Sequence, residues 1–243
     1  MKSAGGACLF ERPHHRDVAL VLQALDAQAL SQRHCYFGGG TAMALRHGEY
    51  RESVDIDFIV SDLSGYRELR QLLGNVHGLQ PLVREGLKLE LAREVRADQY
   101  GIRTQVRAGT STIKFEIVLE ARIELAAPGK ADRICGIHTL APIDLAAEKL
   151  LANADRWADD AVYSRDVIDL AMLQADRPLL EAACVKAEAA YGESVRRSLA
   201  QAVATLQSRP GRLEQCMTAL NVGPVTKAQL WQAIQRVARR LLA

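Results

Sequence analysis

Between Asp17 and Gln32 the apolar residues Val18, Leu22, Leu25, Ala29 and Leu30 recur at helical spacing, which predicts an amphipathic helix with Asp17 as its N-cap. A short segment, Cys35-Tyr36-Phe37, then runs through Gly38-Gly39-Gly40-Thr41 into Ala42-Met43-Ala44-Leu45, an order that predicts strand, glycine turn, helix. From Val54 to Val60 the period falls to two, placing Asp55 and Asp57 on one strand face and Ile56 and Phe58 on the other. A helical segment from about Tyr66 to Val76 follows. Residues 83–124 are rich in β-formers, and Thr104–Arg107 and Ile113–Val118 flank Ala108-Gly109-Thr110-Ser111, which predicts a hairpin. On its second strand Ile113, Phe115 and Ile117 share one face, and Lys114 and Glu116 the other.

After Ala126-Ala127-Pro128-Gly129 the character changes, and from Pro142 onward the chain is Ala- and Leu-rich with a helical period. Helices are predicted over 142–156, 164–175, 177–191, 193–208 and 226–242, separated at Pro178, Arg209-Pro210-Gly211 and Gly223-Pro224. The expected organisation is an α+β domain over residues 1–130 and an all-helical domain over 131–243, without an internal repeat.

Composition narrows the function classes. The chain has 243 residues, 49% hydrophobic and 25% charged, with a mean hydropathy of −0.07, all values of an ordinary folded protein. Its formal charge is only +2, although 24 of its 31 cationic residues are Arg, so any nucleic-acid surface must be local. The cysteines, Cys8, Cys35, Cys135, Cys184 and Cys216, are odd in number and far apart, a pattern that suits buried reduced thiols better than a disulfide framework or zinc site. The segment Met1–Cys8 lacks the apolar core of a signal peptide, and no stretch of about 18 apolar residues follows. A cytoplasmic protein without membrane contact is expected.

The strongest chemical signal lies between Phe37 and Val60. Gly38, Gly39 and Gly40 let backbone N–H groups approach an anion, and the helix that follows adds its positive end. Thirteen residues (42–54) later, Asp55 and Asp57 stand about 6–7 Å apart along one strand face. Two carboxylates on an otherwise apolar strand call for compensation, and a hard divalent cation such as Mg²⁺ supplies it.

Gly39-Gly-Thr-Ala-x-Ala-Leu45 followed by Arg51-x-Ser53-x-Asp55-Ile-Asp57-Phe58 resembles the polymerase-beta-like nucleotidyltransferase superfamily, and within it the AbiEii/MenT group of nucleotidyltransferase toxins. The resemblance continues in Asp144-x4-Lys149 and Arg165-Asp166-x-x-Asp169-Leu170. It implies a mixed-sheet nucleotidyltransferase domain and a helical domain. It also implies a nucleotide site of Gly38, Gly39, Gly40, Thr41, Arg51, Ser53 and Lys149, and a site for two Mg²⁺ ions, or Mn²⁺, on Asp55 and Asp57. The superfamily adds a third carboxylate on a neighbouring strand; Glu116 is the candidate, Glu120 on the same face its rival, and Asp the commoner residue there. Lys149 would reach the triphosphate as a point charge, with Asp166 holding that lysine or a substrate group. The plainer alternatives are a cross-strand ion pair from Glu116 to Lys114 or Arg107, and helix pairs Asp144–Lys149 and Arg165–Asp169.

The implied reaction moves an NMP from an NTP to a hydroxyl, releasing pyrophosphate. The acceptor implied is RNA, at a tRNA 3′ end, and the role that of a toxin with a cognate antitoxin. Competing readings are a protein or small-molecule acceptor, a degenerate nucleotide-binding module suggested by Glu116 in place of Asp, and a metal-dependent glycosyltransferase. Six scattered histidines show no ligand spacing.

Overall fold

The computed structural model describes residues 10–74, 77–109 and 111–242; Met1–Cys8, Val76 and Thr110, used above, lie outside them. The chain divides into two compact units, residues 1–49 with 53–140, and residues 50–52 with 141–243.

In the first unit the elements are α1 (Pro13–Ala24), α2 (Ala27–Ser31), β1 (Tyr36–Gly38), α3 (Gly39–Arg46), β2 (Ile56–Val60), α4 (Leu63–Leu73), β3 (Leu91–Ala97), β4 (Gly101–Ala108), β5 (Ser111–Leu119), β6 (Arg133–Ile134) and β7 (Ile137–His138). The helix expected over 17–32 is two helices. Leu25 turns extended and bridges to Val83, after which Asp26 caps α2 by accepting from the N–H groups of Gln28 and Ala29. Helix α1 begins earlier, at Pro13, whose missing N–H costs nothing in a first turn. Asp17 therefore lies inside the helix, where it accepts from the Ser111 hydroxyl at 2.6 Å.

Five strands form a mixed sheet in the order β1-β2-β5-β4-β3, with β2 and β5 parallel and the other neighbours antiparallel. The expected hairpin is β4–β5, longer at both ends than its turn composition implied. Alternation sorts the two faces. Phe37, Phe58 and Phe115 form a ladder with ring centroids 5.7 and 5.5 Å apart, joined by Ile56, Ile102, Val106, Ile113 and Ile117, all buried. Asp57, Lys114, Glu116, Arg103 and Gln105 point the other way.

The compact sheet unit runs through Leu140. The two-strand hairpin β6–β7 is tied to the sheet unit because Leu140 N–H donates to the Phe37 carbonyl at 2.9 Å and Arg46 binds Asp132 and Thr139.

The second unit contains α5 (Pro142–Arg156), α6 (Arg165–Met172), α7 (Arg177–Tyr191), α8 (Ser194–Ser208), α9 (Arg212–Ala219) and α10 (Lys227–Leu241). The periodicity anticipated all of these except α9, which buries only Arg212, Leu213 and Cys216 and so has almost no apolar stripe to read. Leu145, Leu150, Leu151, Ile168, Leu180, Leu199 and Ile234 form its core. Tyr50–Glu52 belongs here, not to the strand that follows it in sequence. The Tyr50 carbonyl accepts from Gly223 N–H, and Glu52 N–H donates to the Leu220 carbonyl.

Cys35, Cys184 and Cys216 are free and buried, as expected, and burial pushes the Cys184 thiol up to about 11. Cys135 departs from the expectation, because it is disulfide-bonded. Among the described residues no helix is long and apolar enough to cross a membrane.

Candidate active site

The glycine turn is built onto the acid strand. Strand β1 runs antiparallel to β2 and sets Gly38 opposite Asp57. Gly39 opens α3 with φ +69, and a Cβ there would run into the Asp57 carboxylate, so two independent constraints require glycine. No described side chain caps α3, which leaves the N–H groups of its first turn to whatever anion approaches. In that turn Thr41 is buried and its hydroxyl donates to Ser53 Oγ at 2.9 Å.

A buried histidine stands behind this pair. His15, fully buried on α1, accepts from Ser53 N–H through Nε2 at 3.2 Å and faces Glu49 Oε1 through Nδ1 at 2.8 Å. The Nε2 contact requires a lone pair there, so the proton sits on Nδ1 toward Glu49. Burial opposes ionisation of Glu49, but the amides of Glu11 and Arg12 together with His15 hold its pKa below the usual carboxylate value. The sequence showed no ligand spacing for His15 or the other histidines. The available signal was position: with Val18, Ala19 and Leu22, His15 lies on the apolar stripe of α1.

Asp55 and Asp57 both face the polar side of the sheet, partly exposed. In the parallel β2–β5 register Glu116 lies directly beside Asp57, whereas Glu120 follows the end of β5, is buried, and pairs with Arg122 at 2.6 Å. Glu116 is thus the acid brought to the Asp pair. It is also ion-paired, through Oε1 to Arg103 Nε at 3.0 Å and through Oε2 to Lys114 Nζ at 2.6 Å. Arg107, the other partner considered for it, pairs with Glu90. Carboxylate oxygens on one open sheet face are the donors that Mg²⁺ and Mn²⁺ take, so the residue types fit a divalent cation. Among the described residues no three His, Cys, Asp or Glu side chains already converge as a cage, and Glu116 is committed to its two cations.

The sheet face continues as one row across the strands. Gly38, Asp57, Glu116, Arg103 and Arg96 are successive register partners on β1, β2, β5, β4 and β3. Arg96 and its neighbour Arg93 are exposed at the edge strand.

Arg51, Lys149 and Asp166 lie in the helical unit and form a second cluster around Asp169. Asp169 is fully buried and takes four donors: Tyr50 OH at 2.6 Å, Arg51 Nε at 2.6 Å, Arg51 Nη2 at 2.9 Å and Lys149 Nζ at 2.6 Å. Asp166 binds Lys149 at 3.3 Å and Arg156 at 2.7 Å. Burial pushes both carboxyls up, but the facing cations outweigh it: Arg51 and Lys149 hold Asp169 far below the carboxylate range, and Lys149 and Arg156 lower Asp166. The local helix pairs considered above are replaced by long-range ones, since Asp144 pairs with Lys186 of α7.

A family model described as "Nucleotidyl transferase AbiEii toxin, Type IV TA system" matches residues 21–241. A solved structure described as "putative nucleotidyltransferase from H. pylori" superposes with a TM-score of 0.53 over 96% of this chain and 98% of that one. The two share 18% identity, a likeness that speaks to the fold alone. No curated protein matches. A glycine turn seated on an acid strand, in a mixed sheet followed by helices, is thus accompanied by a family match over nearly the whole chain, which belongs to the AbiEii nucleotidyltransferase toxin family of type IV toxin–antitoxin systems.

Proposed function

We propose that this nucleotidyltransferase moves an NMP from a Mg²⁺-bound NTP to an RNA hydroxyl, releasing pyrophosphate, with the acceptor at a tRNA 3′ end and a cognate antitoxin holding the activity in check. The observation that supports the reading is the close approach of Gly39 to Asp57, with Glu116 alongside, because amides suited to a phosphate then open beside two acids paired across neighbouring strands, with Asp55 just before them. Asp55, Asp57 and Glu116 would hold divalent cations, which when bound neutralise the triphosphate and lower the pKa of the attacking hydroxyl. The amides of Gly39, Gly40 and Thr41 would orient the leaving phosphates, and His15, through Ser53, would fix the Thr41 hydroxyl. The exposed Arg93 and Arg96, on the same sheet as the acids, favour a polyanionic acceptor. Arg51, Lys149 and Asp166 are engaged in the Asp169 cluster, and contact between Lys149 and a phosphate would require it to release Asp169 Oδ2.

The test is incubation of the purified protein with each α-³²P NTP, Mg²⁺ and total RNA, beside Asp57→Ala. Label in RNA with the wild type alone is the expected result and names both nucleotide and acceptor. Label on protein would move the acceptor to a side chain, and equal labelling by Asp57→Ala would overturn the mechanism.

A further inference from the structure

The sheet face that carries the acids also carries a cation among them. Lys114 and Glu116 are two residues apart on β5, so their side chains emerge on the same side, and Lys114 Nζ sits 2.6 Å from Glu116 Oε2. The other oxygen of Glu116 is held by Arg103 Nε at 3.0 Å. The register that puts Asp57 opposite Glu116 begins one residue earlier, with Ile56 opposite Phe115, and Asp55 immediately precedes that first pair. Three carboxylates and one ammonium therefore form a single patch, with like and unlike charges at its corners. Asp55 and Asp57 both lie within electrostatic reach of the Lys114 ammonium, as Glu116 does.

Building on the divalent-cation reading of Asp55, Asp57 and Glu116, we infer that Lys114 is the internal counter-cation of this patch, holding Glu116 Oε2 until a divalent cation takes that oxygen. An ammonium and a dication drawn to one carboxylate oxygen repel each other at a few ångströms, so each weakens the other's hold on it. Loading the acids therefore displaces Lys114. The released ammonium needs another anion, and a nucleotide triphosphate supplies one, so cation and nucleotide bind better together than either does alone. Arg103 keeps Glu116 in place through Oε1 while Oε2 changes partner. Lys114 acts here as a positioning residue, through the carboxylate it guards.

The test uses Mn²⁺ alone, without nucleotide or acceptor, and reads free ion by electron paramagnetic resonance during titration of the full chain. Lys114→Gln is expected to bind Mn²⁺ about tenfold tighter than wild type, a modest gain because the lysine side chain is 49% exposed and its charge is partly screened. Lys114→Arg, which keeps the charge, is expected to restore wild-type affinity, and Asp57→Ala to lose the site. Unchanged or weaker Mn²⁺ binding by Lys114→Gln, with Asp57→Ala still defective, overturns the role of Lys114 and leaves the acid site standing. Undiminished binding by Asp57→Ala overturns the acid site itself, and the role of Lys114 falls with it. Thermal unfolding of each variant without metal accompanies the titration, so that a loss of binding through misfolding is recognised.

Discussion

Replacing Asp169 with Asn keeps the shape of the side chain and removes one charge from the most buried ion cluster in the helical unit. Asp169 is fully buried and satisfies both ends of the Arg51 guanidinium as well as Lys149 and Tyr50. Lys149 would retain Asp166 at 3.3 Å, and Arg156 would retain it at 2.7 Å. Arg51 would keep the Glu52 carbonyl, at 2.8 Å, and one amide oxygen at position 169, and would become a buried cation with no carboxylate. Removing one partner of a buried pair costs about 3–5 kcal/mol, most of it the desolvation of the charge left behind. For a chain of this length that corresponds to a Tm lower by roughly 6–20 °C. The comparison is Asp160→Asn, whose side chain is 60% exposed and pairs with Arg209 at 2.7 Å and Arg212 at 3.1 Å; Arg212 keeps the Asp160 backbone carbonyl, so the change should cost no more than about 1 kcal/mol. Circular dichroism melts and urea titrations of the three proteins measure both. A loss at Asp169 no larger than that at Asp160 would refute the view that burial makes this cluster structural.

Gly39→Ala combines a positive φ with a collision against Asp57, and misplacing that acid should reduce NTP-dependent transfer at least about a hundredfold while the far-ultraviolet spectrum is unchanged; near-normal activity would show that Asp57 does not depend on the turn. His15→Phe orphans the Ser53 N–H, at a cost of about 1–3 kcal/mol, and should raise the KM for NTP by roughly an order of magnitude, while His15→Gln, which restores an acceptor, recovers most of it; equal kinetics for the two variants would count against the relay. The pH dependence follows from Asp166 and Asp169, both with folded pKa values below their unfolded ones. Their stabilisation is complete above the unfolded value of about 3.9 and is lost as pH falls below it. Urea midpoints should therefore drop between about pH 4 and pH 3, less steeply in Asp169→Asn; an equal slope in both over that range would exclude Asp169 as the source.

Much of this molecule was legible because its signals are local. The glycine run, the two-residue alternation of Asp55 and Asp57, and the helical periods after Pro142 are short-range patterns, and each became the expected element. Glu116, the candidate from the sequence, was separated from its rival Glu120 only by pairing: alternation puts both on one face, while the register sets Glu116 beside Asp57 and ends before Glu120. The same holds for Arg51. In the sequence it reads as part of the motif leading to the acids, two residues before Ser53. In the structure its three-residue segment turns away to bond with Leu220 and Gly223, and its charge meets an aspartate 118 positions distant. A residue's chain neighbours report its backbone geometry, whereas the partner of a buried charge is chosen by the cost of leaving that charge alone, and that cost is settled across the whole fold. His15 shows the converse, for its burial on an apolar stripe was readable while Glu49 and Ser53, more than 30 positions away, were not. Motif spacing therefore locates phosphate amides and acids well. It locates their counter-cations less completely: the pair of Lys114 with Glu116, two residues away on the same face, was legible, whereas Arg103, thirteen positions from Glu116, was not.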